Sequence, residues 1–549
     1  MAMGPSAGCA SRCTRCSRTR RPPDSSGRHG AAPPTVSERA SGPVPASTPS
    51  GMVIAHGGAM ALVQPHPRVK TGIPELDVVL KGGLPAGRVH LVEGRPGTGK
   101  TTLALRFLVD GAAQGDACLY VTLSETAAEL RATAASHGWD LTGVEVVEIR
   151  LTEERLERQQ SIFASGEFGL GSTVAEIVER IQAARPRRVV VDSMAEMRLM
   201  AEDAMRYRRQ VMALRHHLQS SGATALLLSD TSDPDEYDLQ ALVHGVVSLE
   251  MIERQYGAAR RRLRVVKLRG ADFQSGWHDF VIQRGELLVF PSLIADEHRR
   301  DFEPSDETTG VEALDHLLGG GLGRGSTTML IGPSGVGKSS LAMHCLVAAT
   351  RRGHHAACFS FDESDESVLQ RARALGLDFD NQVHAGKLHW ERANPSRISP
   401  GEFVWKVRRQ VEDHDARVVV IDSMNSYLET MPEERALMLQ MHELLTYLSN
   451  QGVVVLLILA QKGVVGSVEN PIDLSFLSDT LVLMRFFESE GQIGKAITVV
   501  KKRNGSHQVG VHRFAFADGG VRIELNRLQH GALAPVGHEV ARHDHAGAP

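Results

Sequence analysis

The pattern G-x-x-x-x-G-K-[ST] occurs twice in this chain. It reads Gly94-Arg95-Pro96-Gly97-Thr98-Gly99-Lys100-Thr101 and then Gly332-Pro333-Ser334-Gly335-Val336-Gly337-Lys338-Ser339. The two lysines are 338 − 100 = 238 residues apart. Each copy follows a short apolar run and opens a helical pattern. In that setting the glycines let backbone N–H groups turn inward around phosphates, and the helix N-terminus adds its positive dipole end. A chain built around such a loop must supply a strand, a tight turn and a helix in immediate succession, which confines it to an α/β fold. One chance match in a long chain is unremarkable; two in register are a design.

The register extends well beyond the loops. Thr71-Gly72-Ile73 with Leu76-Asp77 returns as Thr309-Gly310-Val311 with Leu314-Asp315. Gly82-Gly83-Leu84 returns as Gly320-Gly321-Leu322, and Gly138-Trp139-Asp140 as Gly376-Leu377-Asp378, at the same offset of 238. A period this long marks a duplicated domain, since solenoid repeats run to some tens of residues. The boundary falls in the polar stretch near residues 292–306. The expected organisation is a first domain over 68–295, a second over 305–527, and disordered tails at 1–60 and 528–549. Strands are expected over 89–93, 118–122, 188–191 and 223–228, with helices over 101–113 and 126–137. Continuous apolar strands separated by helices predict a mainly parallel sheet covered on both faces, with ligands at the carboxyl ends of the strands.

Composition narrows the classes further. The 549 residues are 42% hydrophobic and 23% charged, enough for large cores, and a net charge of −4 gives no general attraction to nucleic acid or anionic membrane. No apolar run is long enough to span a bilayer, and no secretory leader is visible, so the chain reads as cytoplasmic. The N-terminal tail is rich in proline and arginine and holds Cys9, Cys13 and Cys16; only His29 is near enough to join them, which is too few ligands at sensible spacing for a zinc knuckle. The C-terminal tail holds His530, His538, His543 and His545, and a disordered tail outweighs a metal site there.

Three sets of residues carry the expected chemistry. In the loops, Gly94, Gly97, Gly99, Thr102, Gly332, Gly335, Gly337 and Ser340 line the phosphates, Lys100 and Lys338 reach the β- and γ-phosphates of ATP, and Thr101 and Ser339 ligate Mg²⁺. Apolar strands ending in Asp192 and Asp422, each followed by Ser-Met, supply the acid that holds the magnesium. The strand after each loop helix ends in Ser124-Glu125 or Asp362-Glu363, carboxylates placed to act as general base toward the water that attacks ATP.

These motifs together resemble the KaiC-like family of tandem RecA-type ATPases, over roughly residues 68–525. The resemblance implies a double-ring homohexamer with ATP at subunit interfaces, ATPase activity in both rings, and Ser/Thr autokinase activity in the second. It also implies that a K-x-R pair late in each domain reaches the neighbouring subunit's ATP. Lys267 with Arg269 and Lys501 with Arg503 match that pair.

The match is incomplete in three places. The family's adjacent acids survive as Asp362-Glu363, whereas the first domain has Ser124-Glu125; the second domain is therefore expected to carry most turnover. The family's Ser-Thr phosphorylation pair becomes Ser475-Phe476, leaving Ser475 as the phosphorylation candidate, on an expected strand. The short His-rich tail differs from the partner-binding tail that the resemblance implies. The expectation is a signalling ATPase with other signalling proteins as partners. The alternatives are a RecA/RadA-like DNA-dependent ATPase and a scaffold that binds ATP without turnover. Near-neutral charge and 5% aromatic residues argue against the nucleic-acid partner.

Overall fold

The computed structural model describes residues 67–527 apart from 150–167, 202, 231–235, 254–256, 395, 430–433, 462–474, 490 and 518–519. The expected disordered tails, with their cysteines and histidines, lie outside the described residues. The first half contains strands β1 (Arg68–Val69), β2 (Leu84–Pro85), β3 (Val89–Gly94), β4 (Cys118–Thr122), β5 (Val144–Glu148), β6 (Arg188–Asp192), β7 (Thr224–Ser229), β8 (Gly245–Ile252), β9 (Arg260–Leu268), β10 (His278–Gln283) and β11 (Glu286–Phe290). The second half contains β12 (Asp306–Glu307), β13 (Leu322–Gly323), β14 (Thr327–Pro333), β15 (His355–Ser360), β16 (Leu388–Arg392), β17 (Ala416–Asp422), β18 (Val454–Gln461), β19 (Thr480–Ser489), β20 (Gln492–Lys502), β21 (His512–Ala517) and β22 (Gly520–Arg527).

Each half builds one nine-stranded sheet, in the order β11-β10-β9-β8-β3-β7-β6-β4-β5 and, read the same way, β22-β21-β20-β19-β14-β18-β17-β15-β16. The second order is the first with eleven added to every label, so the sequence repeat is a repeat of topology. From β8 to β5 the neighbours run parallel, and from β8 outward to β11 they run antiparallel. Even an irregularity recurs: the register slips between Val246 and Val247 in one copy and between Leu481 and Val482 in the other. These are two tandem RecA-like domains.

The parallel strands are apolar without interruption because both sheet faces are covered. Val190 points into one core with Leu105 and Phe107, while Val189 and Val191 point into the other with Met194 and Leu214. Val418 and Val420 divide from Val419 and Ile421 in the same way. Alternate side chains of a strand face opposite sides, so a strand buried twice cannot alternate in polarity. The expected elements correspond to the observed β3, β4, β6 and β7 and to helices Lys100–Ala113 and Ala127–Ser136.

One expectation fails. The stretch containing Ser475 is not a strand: Ser475–Leu477 form a 3₁₀ turn, and β19 begins only at Thr480. The strand is started by Asp479, whose carboxylate accepts from the Thr327 N–H at 3.0 Å while its own N–H donates to the Thr327 carbonyl at 2.9 Å. So short a stretch carries no periodicity that distinguishes a turn from a strand.

The two halves meet through a buried carboxylate. Asp279 on β10 accepts two hydrogen bonds from Arg260, at 2.9 and 3.0 Å, and one from the N–H of Gly401 at 2.8 Å. Gly401 lies in the first turn of helix Pro400–Glu412 of the second half, and Trp405 of that helix packs on Phe290 of β11.

A second buried charge fixes a glycine inside the first loop helix. Arg188, 1% exposed, pairs with Asp110 and Asp116 at 3.0 Å each and lies over the Phe107 ring. A Cβ on Gly111 would fall 2.6 Å from Arg188 Nε and 2.8 Å from Cys118 Sγ. Gly→Ala in a helix ordinarily gains about 1 kcal/mol, whereas overpacking costs about 1–3 kcal/mol. Gly111→Ala is therefore expected to lower the melting temperature by circular dichroism, against the helix-propensity trend; a raised melting temperature would refute the packing argument.

Candidate nucleotide sites

Each glycine loop connects the end of the central strand, β3 or β14, to a helix starting at Lys100 or Lys338. Gly97 and Gly99 have φ of 80° and 105°, and Gly335 and Gly337 have φ of 78° and 117°, all in the left-handed region that only glycine enters freely. At Gly99 a Cβ would also sit 2.6 Å from Ile282 Cδ1. The loop is thus compelled to expose its backbone, as an anion cradle requires.

The lysines fold back onto their loops. Lys100 Nζ donates to the Gly94 carbonyl at 2.6 Å, the Arg95 carbonyl at 3.3 Å and Asp230 Oδ1 at 2.6 Å. Lys338 Nζ, in a buried residue, donates to the carbonyls of Gly332 and Pro333 at 2.8 and 2.9 Å, and burial lowers its pKa. A buried ammonium satisfied mainly by loop carbonyls is a cation placed to meet an incoming phosphate.

The acids stand where a magnesium site needs them. Thr101 Oγ1 donates to Asp192 Oδ2 at 3.3 Å, and the Tyr120 hydroxyl donates to the same oxygen at 2.6 Å. Ser339 hydrogen-bonds Asp422 in the second domain. Burial raises the pKa of Asp192, opposed by the Tyr120 and Thr101 hydroxyls. Burial pushes the Asp422 carboxyl up to about 6, opposed by Ser339; in place of Tyr120, the second domain has Cys358, which donates no such bond. A hydroxyl beside a buried carboxylate fits Mg²⁺, which takes one or two protein ligands and completes its shell with phosphate and water. Among the described residues no cluster of three or more His, Cys, Asp or Glu side chains forms a self-sufficient metal cage.

The two candidate general bases differ in their surroundings. Burial, together with the negative charges of Asp192 and Glu129, raises the pKa of Glu125. Glu363 instead forms a two-pronged ion pair with Arg371. Helix capping needs neither: Thr126 forms a capping box with Glu129, and Ser364 accepts from the Ser367 N–H at 3.3 Å. Asp362 is held by the hydroxyls of Ser423, at 2.9 Å, and Ser426. The first domain reverses that arrangement, with Ser193 bonded to Glu196 and a serine at 124. Because 426 − 196 = 230 and 422 − 192 = 230, Glu196 stands at the Ser426 position, and each domain keeps one carboxylate on its serine. Each domain thus carries an acid at a position where the other has serine, Glu196 in the first and Asp362 in the second.

The K-x-R pairs lie far from their own loops. In the sheet register Gly94 pairs with Leu249 and His90 with Gly245, and Gly245 pairs with Leu268. Lys267 and Arg269 therefore sit four residues of strand below the loop, roughly 13 Å at about 3.3 Å per residue. Lys267 donates to the Gln240 carbonyl and Arg269 to the Ala241 carbonyl, the latter at 2.9 Å. In the second domain Leu481 pairs with Met329 and Lys501, and Arg503 Nη1 lies 3.5 Å from Asp479. Elsewhere on β9 the arginines are internally engaged, Arg260 with Asp279, Arg262 with Glu250 and Trp277, and Arg264 with Trp277. Sequence reading missed Tyr120, Asp230, Glu196 and Arg371; comparing the repeats at the shorter offset of 230 after β6 would have exposed Glu196.

Family comparison agrees with this geometry. The model of the KaiC ATPase domain matches residues 69–293 and again 307–527. The chain belongs to the KaiC ATPase family. It is 25% identical over 465 residues to the circadian clock protein KaiC3 of Synechocystis, covering 83% of this chain and 91% of that protein. It is 24% identical to the circadian clock oscillator protein KaiC of Parathermosynechococcus lividus, covering 85% and 87%, and 26% identical to KaiC2 of Synechocystis, covering 82% and 80%. Membership of this ATPase family implies ATP binding.

Removing a charge-assisted contact costs roughly 1.5–3 kcal/mol, or about 10- to 100-fold in affinity. Lys100→Ala and Lys338→Ala should each weaken one of two sites by that factor in titrations with a fluorescent ATP analogue, and the double variant should show both sites weakened. Unchanged affinity at both sites in the double variant would contradict the assignment.

Proposed function

We propose that this chain is an ATP hydrolase with two active sites, each completed by the lysine and arginine of a neighbouring copy, and that it acts as a signalling ATPase. The observation that supports this most is the register of β3, β8 and β9, repeated in β14, β19 and β20. Loop and K-x-R pair lie at opposite ends of one sheet, so Lys267, Arg269, Lys501 and Arg503 serve a nucleotide other than their own. By family resemblance the assembly is a hexameric double ring.

In the reaction the water oxygen bonds to the γ-phosphorus, the β–γ bridging P–O bond breaks, and ADP leaves with the electron pair. Glu125 or Glu363 takes the water's proton. Lys100 or Lys338 and the neighbour's arginine bear on the charge of the transferring group, which is where most catalysis of this kind arises. Mg²⁺, held beside Thr101 and Asp192 or Ser339 and Asp422, supplies further charge neutralisation when bound. A DNA-dependent motor fits less well, because the arginines of β9 are engaged internally. A scaffold without turnover fits less well because both domains retain a glutamate after the loop strand.

The test joins size-exclusion with light scattering to a phosphate-release assay. ATP with Mg²⁺ should drive assembly, by linkage to a ligand bound between subunits. Lys267→Ala with Arg269→Ala should weaken that assembly and cut first-domain turnover about tenfold or more. A monomer at saturating ATP that hydrolyses normally would sink the shared-site reading.

Autophosphorylation is a second reading, and one observation narrows it. Ser478 and Thr480 are 1% and 4% exposed, so neither hydroxyl is presented to another copy. Ser475 opens the turn that leads into β19 at the sheet end where Lys501 lies. Incubation with labelled ATP and peptide mapping should find phosphate in residues 472–480 on Ser475 alone, and lost in Ser475→Ala. Label on Ser478 or Thr480 would contradict the burial argument.

A further inference from the structure

The glutamates after the two loop strands occupy equivalent positions, since 363 − 125 = 238, yet the second is restrained and the first is not. Arg371 lies two helical turns along Asp365–Ala374 and reaches back so that Nη1 and Nη2 each bind one oxygen of Glu363. Its third donor, Nε, points at Met343 Sδ at 3.3 Å. Met343 is a buried residue of the loop helix itself, so the guanidinium is tied both to the candidate base and to the helix that carries Lys338 and Ser339.

The first domain has neither tie. Thr133 stands at the Arg371 position and Leu105 at the Met343 position, both at the offset of 238. Two linked differences therefore separate the sites: a cation able to fork onto the glutamate, and a sulfur able to accept its Nε–H. A planar guanidinium bound through both prongs is the geometry in which Arg holds a carboxylate most firmly. A general base must turn an oxygen lone pair toward its water at hydrogen-bond distance. A glutamate with one oxygen on each prong has one lone pair of each oxygen occupied, and it cannot swing toward a water without giving up a charge-assisted bond.

We propose that Arg371 is a positioning residue that holds Glu363 out of use, making the second domain the slower ATP hydrolase of the pair whenever the fork is closed. The proposal rests on Glu363 being the second site's water-activating group, and it reverses the sequence expectation that the acidic pair makes the second domain dominant.

The experiment measures phosphate release by the full-length protein in a Lys100→Ala background, so that turnover reports the second domain. Arg371→Thr, which installs the first domain's residue, is expected to raise kcat about fivefold or more while KM stays within about twofold. Arg371→Lys keeps the charge without the fork and should rise less. Adding Glu363→Gln to Arg371→Thr should erase the gain, which a merely structural role for Arg371 would not require. In a Lys338→Ala background, Arg371→Thr should leave first-domain turnover unchanged. A kcat that is unchanged or falls, or a gain that survives Glu363→Gln, overturns the proposal. If Arg371→Thr proves unfolded by circular dichroism, Arg371→Lys carries the same comparison, and no rise there overturns it equally. Wild-type protein that releases no more phosphate than Lys100→Ala/Lys338→Ala would instead overturn the hydrolase reading itself.

Discussion

The parallel pairing of β3 between β7 and β8, and of β14 between β18 and β19, is the constraint on which the rest of each domain depends. It buries the central strand on both faces and along both edges, so the strand has nowhere to go at its carboxyl end but into the glycine loop. It fixes Asp192 and Asp422 in position as well, because β6 and β17 are held one strand further out in the same register. The antiparallel turn from β8 to β9 then carries Lys267 and Arg269 back to the opposite end of the sheet. One pattern of backbone hydrogen bonds thereby holds loop and K-x-R pair apart within a single copy, and on the proposed reading a second copy reunites them.

Much of this was legible in the sequence because it depends on backbone conformation and continuous burial. Gly97, Gly99, Gly335 and Gly337 announce positive φ, and unbroken apolar runs such as Val189-Val190-Val191 announce a strand covered twice. What escaped was side-chain pairing across the site. The sequence pairs Asp362 with Glu363 but does not show that the hydroxyls of Ser423 and Ser426 hold it. Arg371 looks like a solvated helical arginine until its three donors are accounted for. The Ser475 stretch misled because it is too short to show a period of its own, and Asp479 starts the strand later.

Duplication has left the two sites unequal in chemistry but equal in frame. The register slip in β8/β9 is repeated in β19/β20, so the backbone has hardly diverged. The side chains around the glutamate have: Ser124, Glu196, Tyr120 and Thr133 in one domain correspond to Asp362, Ser426, Cys358 and Arg371 in the other. On the proposed reading these substitutions leave phosphate binding common to both sites and let hydrolysis be set separately. Asp279, bonded to Arg260 in one domain and Gly401 in the other, gives a direct contact between the two halves.

Subunit mixing tests the central claim most directly. One variant carries Lys100→Ala and Lys338→Ala, so its own loops are disabled; the other carries Arg269→Ala and Arg503→Ala, so its loops are intact and its reach to a neighbour is lost. Each alone should release little phosphate. Mixed before ATP and Mg²⁺ are added, they should recover a substantial part of wild-type turnover, because the first lends its arginines to the loops of the second. Mixtures no more active than either variant alone, under conditions where the wild-type protein hydrolyses ATP and the variants co-assemble, would contradict the account.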